Sequence, residues 1–210
     1  MSLRNNPING WRLFSLISVS ICLAVLVEMT RVDLSDARDI SSMIQFSVRL
    51  SVPWLYVAFA ASSLAALLPG PVTGWLLRNR RYIGLSFSVG MAWQLTFILW
   101  MVTGHWTYYL EEAYAFSDLL VQVPGYIFLI AMTLTSFRPG RAMLSPQQWR
   151  MLHKGGICFL WATVWSTYWY ELYYYAEIQL IDFVYYWAGL AAWGLRLIAW
   201  SKKRISRITA

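Results

Sequence analysis

The chain is poor in charge, in histidine and in cysteine. Only 13% of its 210 residues are Asp, Glu, Lys or Arg, about half the ~25% usual in a soluble domain. There are two histidines and two cysteines. No CxxC, no HExxH, no Ser–His–Asp set and no glycine-rich phosphate loop can be assembled from the sequence. These absences argue against hydrolytic and nucleotide-driven chemistry. No soluble segment is long enough for a flavin or nicotinamide domain. Cys22 and Cys158 fall inside apolar runs, where cysteine behaves as a small hydrophobe, not as half of a disulfide framework.

What is abundant is apolar and aromatic. Fifty-nine per cent of the residues are hydrophobic, with 13 Trp and 13 Tyr. The apolar residues come in long blocks without alternation, the pattern of bilayer spans. Six spans are predicted, at Trp11–Met29, Met43–Leu68, Tyr82–Gly104, Leu119–Ser136, Trp149–Leu172 and Leu180–Trp200. Spans in lipid must be helical, since only a helix satisfies its own backbone there. Short connections make neighbours antiparallel, so the expectation is one all-α domain over 1–210, a single six-helix transmembrane bundle. Arg4 and Arg12 flank the first block as in a signal peptide, but the following VLVEMTRVDLSD offers no small-residue cleavage site. A retained helix is expected.

Net charge is +7, and its placement argues for topology over nucleic-acid binding. Arg4, Arg12, Arg78, Arg80, Arg81, Arg138, Arg141, Arg150, Lys154, Arg196 and the Lys202–Arg207 tail share one predicted side. The other side carries Arg31, Arg38 and every acid, from Glu28 to Asp182. The positive-inside rule then predicts both termini in the cytoplasm of a bacterial inner membrane, with the bilayer itself as the first partner. The aromatic stretches HWTYYLEEAYAF and WSTYWYELYYY fit an interfacial belt. The alternative is that some of these rings wall a cofactor pocket or an electron path.

Polar groups inside apolar spans are functional candidates. Gln94 stands mid-way along the third span, as an interhelical hydrogen-bonding group or a site residue. Arg49 enters the second span ahead of Pro53, either snorkelling or pairing an anion within the bundle. Pro53 frees the carbonyl of Arg49. His153, with Lys154 beside it, opens the fifth span and faces either the interface or the bundle.

Several stretches together resemble the ferric-reductase-like transmembrane family, in particular its haem-binding membrane subunits of bacterial periplasmic methionine-sulfoxide reductase systems. They are LLRNRRYIGLSF at 76–87, LIAMTLTSFRPG at 129–140, QQWRMLHKGGICF at 147–159 and FSVRLSVPWLY at 46–56. The resemblance runs from about residue 46 to 166. It implies a six-helix bundle holding b-type haem between the third and fifth helices and passing electrons across the membrane. It places axial histidines at 94, 153 and 166, but the chain has Gln94, His153 and Ser166. His105 lies roughly 16 Å further along the helix than Gln94 and cannot replace it. Amide and hydroxyl oxygens are not usual haem ligands.

Two readings follow. In the first, the chain is an electron-transfer subunit with a reduced haem set. His153 is then the axial ligand, Arg80, Arg81 and Arg49 face the propionates, and Gln94 with Ser166 mark a lost layer. A quinol or cytoplasmic flavoprotein would supply electrons and a periplasmic protein would accept them. In the second, the chain is a haem-free relative acting as an anchor, binding or assembly partner. A transporter is disfavoured, because no acid stands at mid-depth in a span and no pair of broken helices stands out.

Overall fold

The computed structural model describes residues 8–111, 116–174 and 179–208. Most of those residues are helical, with no strand among them. The helices are α1 (Trp11–Met29), α2 (Ala37–Leu67), α3 (Pro71–Gly104), a short α4 (Trp106–Glu111), α5 (Phe116–Leu134), a short α6 (Arg138–Ala142), α7 (Pro146–Tyr174) and α8 (Leu180–Ile208). α1, α2 and α3 are long and apolar enough to cross a membrane, and Val121–Leu134 of α5 is a shorter apolar stretch. The chain is an integral membrane protein.

Several helices start earlier than hydropathy alone places them, because local capping sets the ends. Asp36 accepts from the Arg38 amide at 2.7 Å and starts α2. Gly70 followed by Pro71 starts α3, where proline's missing N–H costs nothing. Ser145 and Gln148 cap α7 reciprocally, at 3.2 and 2.9 Å. In the connection before α2, Ser35 donates twice to Asp33, side chain and backbone, and holds that carboxyl below its usual range. Gly10, at φ +61°, needs a residue without Cβ. Its amide donates to the buried Asn79 side chain at 2.8 Å, tying the start of α1 to α3.

α2 is the hub, packing along α3 and against α8, α1 and α7. One apolar core joins α1, α2 and α3 around Val25, Met43, Phe97 and Met101. A second joins α2, α7 and α8 around Phe59, Leu160 and Tyr168. α5 leans on α7 and barely touches α3, so a gap is left between α3 on one side and α5 with α7 on the other. Part of the expected aromatic belt is internal: Tyr168 is buried, and the half-buried Trp165 donates its indole N–H to the Tyr186 carbonyl at 3.2 Å. Trp161 stacks on Phe59, Trp165 and Trp193 at 5.4 to 6.1 Å, and its indole donates to the Gly189 carbonyl at 3.0 Å.

The tightest approach of α2 to α3 is at Gly90, where an added Cβ would run into the Ser51 hydroxyl. In an isolated helix Gly→Ala gains about 1 kcal/mol, whereas overpacking a tight contact costs about 1–3 kcal/mol. Gly90→Ala is therefore expected to lower the unfolding temperature in detergent, and Gly90→Ala with Ser51→Ala to recover part of the loss.

Candidate functional site

Two cavities lie end to end in the gap, sharing Phe87, Leu129 and Leu160 as an apolar partition. Hydrogen bonds cross it from α3 to α5 at two levels, Ser88 with Thr133 at 2.9 Å and Tyr126 donating to Gln94 at 2.8 Å.

The larger cavity, about 740 Å³, is a basic chamber. α3 contributes Arg78, Arg80 and Arg81, the α6–α7 region contributes Arg141, Arg150 and Lys154, and α8 contributes Arg196. No acid lines it. Aromatic rings, not carboxylates, hold three of these arginines. Arg81 sits among Trp11, Tyr82 and Phe137 at 5.5 to 5.9 Å, Arg141 lies over Trp149 at 4.9 Å, and Arg196 lies over Phe59 at 4.4 Å. A ring steadies a guanidinium through its π face and leaves the N–H groups free to donate. Arg196 Nη1 is buried with no hydrogen-bond partner, a costly state for a charged donor. The inner wall is apolar, with Leu55, Ala58, Leu85 and Ile157.

His153 lines this chamber, half-buried, with Trp149 stacked on it at 4.3 Å. Its Nε2 lies 3.0 Å from Thr135 Oγ1. The single Thr135 hydroxyl proton goes to the Ala131 carbonyl at 2.6 Å. Nε2 must therefore carry the proton and donate to Thr135, which leaves the lone pair on Nδ1. Met132, the other soft donor lining the chamber, sits against Gly156, one turn from His153 on α7. The two donors lie on the same seam and do not face one another.

The smaller cavity, about 300 Å³, is lined by Gln94, Tyr126, Tyr168, Glu171, Arg49 and Asp182 among others. Arg49 donates to Asp182 at 3.0 Å and to Gln179 at 2.7 Å. Asp182 is 1% exposed. The Arg49 carbonyl, freed by Pro53, accepts from the Tyr185 hydroxyl at 2.9 Å. α2 and α8 are thus clamped at one place by a charge pair and a captured backbone oxygen.

Of the residues singled out from sequence, His153, Arg80 and Arg81 come together in the basic chamber. Gln94 and Arg49 belong to the smaller cavity. Arg49 is spent on Asp182 and is not free for a propionate beside His153. Gln94 makes the interhelical bond that was one of its two readings. Ser166 lines neither cavity and donates to the Thr163 carbonyl on its own helix at 2.8 Å. Asp182, Arg196 and Asn79 were missed as site or packing residues. Asp182 had a signal, since an arginine inside the second span calls for an acid and all the acids lie toward that end, but the sequence does not say which one pairs with it. Arg196 had none, because it read as one more topogenic charge.

A porphyrin dicarboxylate fits the chamber in volume and in charge. Its ligation does not fit a two-ligand electron carrier: one imidazole is present with Nε2 engaged, and no strong donor stands opposite. The smaller cavity, at the low end of ligand-pocket volumes and with Gln94 tied to Tyr126, does not fit a haem either. Compared with protein-family models, curated proteins and solved structures, the chain matches none.

Arg49→Met should cost about 3–5 kcal/mol of stability by stranding the buried Asp182 carboxylate. Arg49→Met with Asp182→Leu should recover most of that loss, read as chemical-denaturation midpoints in one micelle system.

Proposed function

We propose that the protein is a haem-free membrane binding protein of ferric-reductase-like architecture whose working site is the basic chamber. Six helices cross the bilayer with both termini cytoplasmic, so the chamber opens toward the inner leaflet. Its ligand is an anionic amphiphile of that leaflet, an acidic phospholipid. The observation that carries this reading is the set of seven cations around one cavity with no acid among its described lining residues.

The chain's own residues account for binding. Arg78 and Arg81 stand one turn apart on α3 with Arg80 on the adjoining side of the helix, and Arg141 of α6 and Arg150 of α7 line the same cavity. A phosphate between them collects charge-assisted hydrogen bonds from forked donors. Arg196, with its unsatisfied Nη1, reaches the inner part of the chamber. The apolar wall takes the glycerol and upper acyl carbons, which a free phosphate would leave dry and empty. His153, donating to Thr135 and stacked on Trp149, joins α5 to α7 and holds that wall in place.

A second reading is favoured by His153 lining the chamber together with the sequence resemblance. The chamber would then hold one b-type haem, with His153 Nδ1 or a released Nε2 as its sole strong ligand and the arginines on its carboxylates. A haem held by these residues would supply one-electron redox chemistry.

Two measurements on the detergent-purified protein decide between these readings. With haem precursor supplied in excess during expression, no Soret band is expected. Phosphatidylglycerol added to the micelles should raise the unfolding temperature while phosphatidylcholine does not, and Arg80→Gln with Arg196→Gln should erase the difference. A Soret band that shifts with dithionite and disappears in His153→Ala would overturn the lipid reading in favour of haem. Equal stabilisation by both lipids would also contradict it.

A further inference from the structure

The smaller cavity has the opposite electrostatic character, independent of what fills the basic chamber. Its charged lining residues are Arg49, Asp182 and Glu171. Arg49 and Asp182 neutralise each other, so among the described lining residues Glu171 is one negative charge in excess. Glu171 stands on the last turns of α7, partly buried. Its carboxylate makes no hydrogen bond or ion pair among the described residues. A carboxylate held between helices without a partner is costly unless a cation reaches it.

The walls beside that charge are aromatic, with Phe87, Tyr126 and Tyr168 lining the same space. Ring faces attract cations, most strongly where water is excluded. Gln94 adds polarity of a definite sense. Its oxygen accepts from Tyr126, so its amide N–H groups remain available as donors to an oxygen or ring of a ligand. Among the described residues no three acidic, histidine or cysteine side chains cluster to hold a metal, and a hard inorganic cation would demand more oxygens than one carboxylate supplies. The volume, about 300 Å³, suits a molecule of one ring or a short chain.

We propose that this cavity binds a small organic ammonium ion, with Glu171 as its counter-charge and the rings of Tyr126, Tyr168 and Phe87 as its walls.

The probe is benzylamine, titrated into the full chain in detergent and followed by calorimetry, with benzyl alcohol as its neutral counterpart. Benzylamine is expected to bind saturably, and benzyl alcohol at least about tenfold more weakly. Glu171→Gln should lose a similar factor while its unfolding temperature without ligand is no lower than that of the parent, since the substitution removes an uncompensated charge. Thr163→Leu, which fills the cavity and leaves the carboxylate in place, should also abolish binding. The proposal is overturned by absence of saturable benzylamine binding, by equal affinity for amine and alcohol, or by unchanged affinity in both variants. The lipid and haem measurements on the basic chamber are unaffected by either result.

Discussion

The arrangement of this protein turns on positive charge gathered around a cavity that no acid lines among the described residues. Two unit charges about 8 Å apart repel by roughly 2 kcal/mol at an effective dielectric of 20. Arg78, Arg81, Arg150 and Lys154 are exposed and largely screened by solvent, whereas Arg80, Arg141 and Arg196 are partly buried and screened less. A whole domain is stable by about 5–15 kcal/mol, so even one poorly screened pair is appreciable on that scale. The aromatic rings against Arg81, Arg141 and Arg196 return about 0.5–2 kcal/mol each, which positions the guanidinium groups without cancelling their charge. An anion in the chamber does cancel it. The rings are therefore best understood as holding donors ready for a ligand.

The same bundle shows the contrary solution at Arg49. There the charge is met within the fold by Asp182, buried at 1% exposure, and the pair is anchored further by Gln179 and by Tyr185 on the carbonyl that Pro53 releases. A paired arginine fixes one helix against another, and an unpaired one waits for a ligand. That contrast separates the two cavities more clearly than their size does, and the partition of Phe87, Leu129 and Leu160 keeps them apart. The weak contact of α3 with α5 leaves the room for both.

Much of this was legible in the sequence. The helical class followed from apolar blocks too long and too unbroken for strands, and α1 has the ends that hydropathy predicts. α2, α3 and α7 begin earlier, because capping by Asp36, Pro71 and Ser145 extends helices through polar turns that hydropathy ignores. The role of Pro53 in freeing the Arg49 carbonyl was readable from proline chemistry alone. The acceptor role of Gln94 was among its two readings. What composition did not reveal is pairing across distant helices. Arg49 and Asp182 are 133 positions apart, and nothing local links them. The tautomer of His153 likewise depends on where the Thr135 proton goes, a matter of three-dimensional neighbours. Arg196 looked like a topological charge because its burial comes from Phe59, on another helix.

The central claim is that the chamber's cations hold one amphiphilic anion. Native mass spectrometry of the intact protein released gently from micelles tests it directly. The account predicts one tightly held acidic lipid per chain, lost when Arg80, Arg81 and Arg196 are together replaced by glutamine. A wild-type chain released at its bare sequence mass under conditions that retain lipid on other membrane proteins would contradict it.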